Sequence, residues 1–71
     1  MDLNVMLKSE RKKHNMTQQQ VADYLNMARG AYAQYETGKN LPPVTTLSKL
    51  ADLYKCSIDY LLGRYRSQEE E

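Results

Sequence analysis

The chain contains few of the residue types that define several common protein classes. It has no tryptophan or phenylalanine, one cysteine, two prolines and three glycines in 71 residues. The single cysteine, Cys56, excludes an internal disulfide and leaves no second cysteine for a zinc site. Six tyrosines supply all the aromatic residues, and we expect them in the core and at interfaces rather than stacked on bases. Four fall at inward helical spacing, namely Tyr24, Tyr32, Tyr35 and Tyr54.

Long hydrophobic runs are also absent. No apolar run approaches the ~20 residues that span a bilayer, and the N-terminal segment MDLNVMLK lacks the apolar core of a signal peptide. These features predict a cytoplasmic protein without membrane contact. A chain of this length forms one domain and is too small to hold a deep catalytic cleft beside a core. Because it has no metal-ligand cluster, phosphate-binding loop or nucleophile with a base, we expect neither a metal, a cofactor nor enzymatic activity.

Charge is unevenly distributed along the chain. The formal net charge is only +1, and residues 69–71 are all glutamate. Without these three of its nine acidic residues, the chain retains six acidic against ten basic residues. We interpret residues 67–71 as a disordered acidic tail and residues 1–66 as one folded, mildly basic domain, which suits a surface that contacts phosphate.

Apolar residues recur at helical spacing in five segments, and no segment alternates as a strand does. We therefore predict an all-α, compact five-helix fold. The segments are residues 2–14, 18–25, 29–36, 44–54 and a short fifth helix after Ser57 that ends at Gly63. Thr17 and Gln20 match a capping box, and Asn26 tolerates the left-handed conformation that ends a helix sharply. We expect Thr45 or Thr46 to cap the fourth helix.

The second and third predicted helices, within residues 18–37, have the arrangement of a helix-turn-helix. Two helices at a fixed angle place the second of them in the DNA major groove. Its outer face is small and nearly uncharged, with Arg29 and Gln34 as long polar residues. Arg29 suits guanine and Gln34 suits adenine, each pair giving about 1–3 kcal/mol of discrimination. Gly30 costs about 1 kcal/mol relative to alanine in a helix, so either a ligand approaches this backbone closely or the first turn is frayed.

Six sequence elements occur in a characteristic order. They are Arg11, Thr17-Gln18, Val21-Ala22, Tyr35-Glu36-x-Gly38-Lys39, Pro42 with residues 47–51, and Ile58-Asp59-Tyr60-Leu61-Leu62-Gly63. This pattern resembles the Cro and phage-repressor type of helix-turn-helix domain, also called the lambda-repressor-like or XRE family. The resemblance covers about residues 5–63. It implies a DNA-binding domain, encoded by a bacterium or a phage, with its helix-turn-helix at the second and third helices.

The resemblance also implies roles for the matching residues. Those expected to face base edges are Ala28, Arg29, Gly30, Ala33 and Gln34. Those expected to contact the phosphate backbone are Thr17, Gln18, Lys39 and Asn40. Gln18 also matches a glutamine that braces the recognition helix. Arg11 and Glu36 match an ion pair that ties the first helix to the end of the third.

Three residues depart from the family pattern. Ala28 replaces a capping serine or threonine, which removes a cap of roughly 1 kcal/mol from the third helix. Asn26 replaces the usual glycine of the turn. Glu10 replaces a commonly apolar residue, and we expect it either to weaken packing of the first helix or to add a carboxylate near Arg11. Together, Ala28 and Gly30 leave fewer base-reading groups than most relatives have.

Two functions from different classes fit these features. The first is a transcriptional regulator, a repressor of phage or mobile-element type, that binds double-stranded DNA. One unit of this size covers a single half-site, so we expect a homodimer on a palindromic operator. The expected dimer contact is formed by Tyr60, Leu62 and Tyr65. The second function is an antitoxin or other protein-interaction module, in which the same fold binds a protein partner.

Overall fold

A computed structural model describes residues 2–63 of the chain. This part contains five α-helices and no strand, which confirms the predicted all-α fold. The helices are α1 (Leu3–Lys13), α2 (Gln18–Leu25), α3 (Arg29–Thr37), α4 (Val44–Tyr54) and α5 (Ile58–Leu61). Tyr65 and the predicted acidic tail, residues 67–71, lie outside the described residues. Between residues 2 and 63, every helix is too short or too polar to cross a membrane.

The five helices share one hydrophobic core, to which each helix contributes at least one fully buried side chain. The largest of these side chains are Leu7, Val21, Tyr32, Leu50 and Leu61. Burying a large apolar side chain stabilises the folded state by about 1.5–3 kcal/mol. None of the helices has more than 11 residues, and isolated helices of that length are marginal in water. Shared packing around this core therefore stabilises the helices and sets their relative positions.

The helix ends around α2 follow the sequence prediction. The Thr17 hydroxyl accepts from the backbone N–H of Gln20 at 3.1 Å, and the Gln20 side chain accepts from the Thr17 N–H at 2.8 Å. This confirms the capping box. Asn26 adopts the left-handed conformation, with φ 60°, and the chain turns there towards α3. The Met27 N–H donates to the Ala22 carbonyl across the turn at 2.9 Å.

The prediction that Thr45 or Thr46 caps α4 was wrong. Pro43 occupies the cap position in an extended conformation, while Thr45 and Thr46 lie within the first helical turn. Because Pro43 has no side-chain acceptor, α4 begins without a side-chain cap. The fixed φ of proline sets the entry of the chain into the helix instead.

Tyr24 also differs from its prediction as an inward residue. Its side chain is 46% exposed, whereas Tyr32 and Tyr54 are buried and Tyr35 is half-buried. The inward face of α2 is formed by Val21, Ala22 and Leu25. Since successive helical residues are separated by about 100°, Tyr24 lies at the edge of that face.

Glu10 links α1 to α5 through a hydrogen bond. Its side chain is buried, and its Oε2 accepts from the Tyr60 hydroxyl at 2.9 Å and from Lys13 Nζ at 3.2 Å. The carboxylate therefore joins the two helices, whereas Arg11 binds Glu36. The Glu10 carboxylate thus bonds Tyr60 and Lys13, and the carboxylate that pairs with Arg11 is that of Glu36. A buried carboxylate is compatible with the core because polar partners replace water around it.

Candidate nucleic-acid interface

A buried carboxylate organises the contact between α1, α2 and α3. Glu36, near the end of α3, accepts two hydrogen bonds from the Arg11 guanidinium, at 2.7 Å from Nε and 3.2 Å from Nη2. It also accepts from the Tyr32 hydroxyl at 2.5 Å and from Gln18 Nε2 at 3.0 Å. One side chain of α3 is thus bound by residues of three helices. We call Arg11, Gln18, Tyr32 and Glu36 the Glu36 cluster.

Burial and hydrogen bonding have opposite effects on the pKa of Glu36. Burial raises the pKa of the Glu36 carboxyl, but hydrogen bonds from Arg11, Tyr32 and Gln18 outweigh it and hold the pKa below its ordinary value. The same ion pair raises the pKa of Arg11. At neutral pH both groups are charged, with side-chain exposures of only 12% and 3% for Arg11 and Glu36. Removal of either partner would leave an uncompensated buried charge.

Arg11 also fixes the turn between α1 and α2. Its Nη1 donates to the carbonyl oxygen of Met16 at 2.9 Å, just before the Thr17 cap of α2. A single guanidinium therefore binds the carboxylate at the end of α3 and the backbone at the entrance to α2. The planar guanidinium has enough donors to bind both partners at once.

Gln18 connects the Glu36 cluster to the exposed surface. Its Nε2 donates to Glu36, while its Oε1 accepts from Arg29 Nη1 at 2.9 Å. The amide of Gln18 thus uses its donor towards the interior and its acceptor towards Arg29. As a result, the guanidinium of Arg29, at the start of α3, is held in place before any ligand binds.

The outward face of α3 is formed mainly by small side chains. Ala28, Arg29, Gly30 and Gln34 are exposed, and Ala33 is half-buried. A Cβ built on Gly30 meets nothing within 4 Å, so packing inside the described chain does not require glycine there. Ala28 occupies the cap position and makes no side-chain hydrogen bond to the helix. Two long polar side chains, Arg29 and Gln34, therefore project from a face that is otherwise formed by small residues.

The turn after α3 brings its own polar groups to this face. Gly38 ends the helix with φ 86°, a left-handed conformation that glycine adopts without a Cβ penalty. The Asn40 N–H then donates to the Gln34 carbonyl at 3.2 Å, and Asn40 Nδ2 donates to Gln34 Oε1 at 2.5 Å. Lys39 is exposed in the same turn. This turn therefore lies beside the C-terminal half of the α3 face.

The residues predicted to contact DNA fall into two connected groups. At one end of the face, Gln18 contacts Arg29; at the other, Asn40 contacts Gln34. Thr17 is exposed at the cap of α2, next to the first group. The predicted dimer residues Tyr60 and Leu62 belong to a different part of the molecule, where both are half-buried and pack against the core.

Several polar contacts were not predicted from the sequence, and three of them differ in how far the sequence signalled them. They are the bond from Tyr32 to Glu36, the bond from Asn40 to Gln34, and the bond from Tyr60 to Glu10. A spacing of four residues places Tyr32 and Glu36 on one side of a helix, so that contact had a detectable signal. The other two depend on a turn and on the packing of α5 against α1, and no local spacing indicates them.

A helix-turn-helix whose second helix has an exposed polar face is characteristic of a class of small DNA-binding domain. In this chain a buried ion pair between Arg11 and Glu36 lies on the inner side of that helix. A family model described as Helix-turn-helix matches residues 7–61. The chain belongs to this helix-turn-helix family.

Several curated relatives resemble the chain. The Cryptic phage CTXphi transcriptional repressor RstR of Vibrio cholerae is 38% identical over 71 residues, which are all of this chain and 63% of RstR. The HTH-type transcriptional regulator AnsR of Bacillus subtilis is 42% identical over 59 residues, 83% of this chain and 51% of AnsR. ImmR, also an HTH-type transcriptional regulator of Bacillus subtilis, is 41% identical over 64 residues, 90% of this chain and 50% of ImmR. The chain thus spans between half and two thirds of the length of these relatives.

A solved structure supports the same relationship. The P22 c2 repressor protein, in a crystal structure with synthetic operator 9T, superimposes with a TM-score of 0.82 at 25% sequence identity. The match covers 90% of this chain and 97% of that chain. The structural likeness therefore includes almost the whole P22 domain and confirms the lambda-repressor-like fold.

Proposed function

We propose that the chain is a sequence-specific, double-stranded DNA-binding transcriptional regulator, a repressor of phage type that acts in the bacterial cytoplasm. The observation that carries this proposal is the exposed face of α3, which presents Arg29 and Gln34 on a surface otherwise made of small residues. Such a face allows close approach to base edges, and its two long side chains have the donors that base recognition uses. The names of the relatives and the operator complex of the P22 structure agree with it.

The backbone contacts are proposed from the groups that flank α3. Thr17 and Gln18 lie at the start of α2, and Lys39 and Asn40 lie in the turn after α3. Phosphate contacts on both sides of a recognition helix fix its depth and register, while the helix itself reads sequence. We propose that the Glu36 cluster keeps these two flanks at the correct separation.

We propose a homodimer as the DNA-bound form. One α3 face covers a single half-site, and helix-turn-helix proteins read two half-sites through a two-fold axis. The proposed contact includes the partly exposed side chains of Tyr60 and Leu62 near the end of α5. The Tyr60 hydroxyl is bound to Glu10, so its ring edge, rather than its hydroxyl, is proposed to face the partner.

Selection from a random-sequence double-stranded DNA library at near-physiological salt tests the proposed function. We expect the wild-type protein to enrich a palindrome, and Arg29→Ala and Gln34→Ala each to relax the preference at one position of each half-site. Lys39→Ala serves as the matched control, because loss of a phosphate contact weakens binding to all sequences similarly. If the wild-type protein enriches nothing, the proposal is wrong and a protein-interaction module becomes the better interpretation.

A further inference from the structure

Gln34 and Asn40 form a hydrogen-bonded pair on the proposed DNA-binding face. The Asn40 backbone N–H donates to the Gln34 carbonyl, and Asn40 Nδ2 donates to Gln34 Oε1. The Thr37 hydroxyl donates to the same Gln34 carbonyl at 3.2 Å. Because the turn at Gly38 is closed by these bonds, Asn40 lies beside Gln34 through backbone geometry and not only through contact between two side chains.

This pairing gives the two ends of the Gln34 amide different roles. Its Oε1 already accepts a hydrogen bond from Asn40. Within residues 2–63, its Nε2 has no hydrogen-bond partner, so its two N–H groups remain for an external acceptor. A glutamine free to rotate can donate and accept at the same time. Held by Asn40, Gln34 presents its donor end outwards.

Base edges in the major groove differ in whether they bind the donor end or the acceptor end of a glutamine side chain. Guanine offers two acceptors, N7 and O6, and thymine offers O4; adenine offers one acceptor, N7, beside the N6 donor, and cytosine offers the N4 donor. Pairing of Gln34 with adenine, as predicted from the sequence, requires Oε1 to accept from N6. A Gln34 whose Oε1 is directed at Asn40 and whose Nε2 faces outwards keeps only the bond to N7 on adenine, so guanine, with two acceptors, and thymine are favoured.

We infer that Asn40 is a positioning residue that orients the Gln34 amide and so favours guanine or thymine over adenine at the base that faces Gln34. This inference rests on the proposed function and extends it to the choice of base. The role is compatible with a phosphate contact by Asn40, because its Nδ2 carries two hydrogens and only one is used by Gln34. Asn40 acts through Gln34 and does not itself read the base.

Three variants in the same DNA-library selection test this inference. Gln34→Ala identifies the base position that Gln34 reads. In Asn40→Ala the amide rotates freely, and we expect the preference at that position to extend to adenine. In Asn40→Asp the carboxylate can only accept, so Gln34 must turn its Nε2 inwards and its Oε1 outwards. We expect this variant to shift the preference towards adenine or cytosine by about tenfold.

The new carboxylate in Asn40→Asp repels phosphate and weakens binding to all sequences. The base preference is therefore compared within each selection, where this general loss of affinity cancels. Lys39→Ala is again the control, with lower affinity and an unchanged preference. If both Asn40 variants keep the wild-type preference at the Gln34 position, the inference is wrong while the proposed function stands. If the wild-type protein enriches no sequence, both are wrong.

A measurement on the free protein checks the contact without DNA. In the ¹⁵N-labelled protein, we expect Gln34→Ala to shift the Asn40 side-chain amide resonances and to accelerate their hydrogen exchange. Gln19→Ala, which removes an exposed glutamine on α2 bound to Asp23, is the matched control and should leave them unchanged. Unchanged Asn40 amide resonances in Gln34→Ala would show that the pair does not form, and the inference would be overturned.

Discussion

At the residue scale, the stability of the molecule depends on whether its buried polar groups are hydrogen-bonded. Glu36 stays ionised within the core because Arg11, Tyr32 and Gln18 surround its two oxygens. Tyr54 shows the opposite case. Its hydroxyl is buried and has no hydrogen-bond partner within the described part of the chain. Burial raises the pKa of Tyr54 to about 12, so the group remains protonated.

The first prediction concerns Glu36 and pH. Because the folded-state pKa of Glu36 lies below its ordinary value of 4.5, its ionised form stabilises the protein fully above about pH 4.5. This contribution is lost as pH falls through the folded-state pKa. We expect Glu36→Gln to lower the free energy of unfolding by about 3–5 kcal/mol at pH 7, and by less at lower pH, in urea denaturation. Asp52→Asn, at an exposed carboxylate of α4, is the control. Parallel pH profiles for the wild-type protein and Glu36→Gln would contradict this explanation.

The second prediction compares two buried tyrosines. Tyr54→Phe removes a hydroxyl that makes no hydrogen bond in the described structure, so we expect the free energy of unfolding to rise by about 1 kcal/mol. Tyr32→Phe removes a donor to an ionised carboxylate, and we expect a loss of about 1.5–3 kcal/mol. Both changes keep the aromatic ring, which makes them matched variants in urea denaturation. Destabilisation of similar size by both would mean that the Tyr54 hydroxyl has a partner after all.

At the element scale, α3 is a helix with little stability of its own. It has nine residues, no side-chain cap and a glycine in its first turn, all of which disfavour an isolated helix. Packing of Tyr32 in the core and the contacts of Glu36 compensate for this. The inward side of α3 therefore provides its stability. The outward side is not needed for packing and carries small residues with two long polar side chains.

The third prediction uses this division between the two sides of α3. Gly30→Ala should raise the free energy of unfolding by about 1 kcal/mol, because alanine favours the helix and the added Cβ meets nothing within 4 Å. If DNA approaches the Gly30 backbone closely, the same change should lower DNA affinity. The two effects are measured by urea denaturation and by binding to the selected duplex. Ala31→Gly, also at an exposed position of α3, controls for helix propensity alone. A variant that gains stability and keeps full affinity would show that Gly30 is not at the contact.

At the scale of the whole molecule, one small core determines where every functional group lies. Each helix contributes a fully buried residue to it, and the Glu36 cluster and the Glu10 contact add polar links from α1 to α3 and to α5. A domain of this size has limited stability, since it buries a smaller fraction of its surface than a large domain does. A change behind the α3 face can therefore affect both stability and DNA binding.

The fourth prediction tests the proposed dimer. In the selected palindrome, the two half-site centres should lie about 10 base pairs apart, one helical turn, or a multiple of that spacing. We expect an insertion of about five base pairs between the half-sites to reduce affinity strongly, because it turns one of them to the opposite side of the duplex. A duplex with a single half-site, which should bind one chain in analytical ultracentrifugation, is the control. Equal affinity for the original and the expanded palindrome would indicate independent monomers.

The helices and the turn between α2 and α3 could be predicted from local sequence, and so could the exposed residues of the α3 face. Helical spacing, the Thr17 capping box and the left-handed Asn26 are local features, so they were predictable from neighbouring residues. The exposed positions of Arg29 and Gln34 followed from the same periodicity. Errors arose where a local signal was ambiguous. Thr45 and Thr46 are good caps but lie after Pro43, and Tyr24 lies at the edge of the inward face of α2.

Which polar groups form hydrogen bonds with one another depends on the tertiary structure. Gln18 lies 18 residues from Glu36 and 11 from Arg29, yet it binds both. Glu10 and Tyr60 are 50 residues apart and share a hydrogen bond. The bond between Asn40 and Gln34 likewise depends on the path of the chain after Gly38. Local spacing predicts which side of a helix a residue occupies, but the packing of the helices and the path of the turns determine its partner.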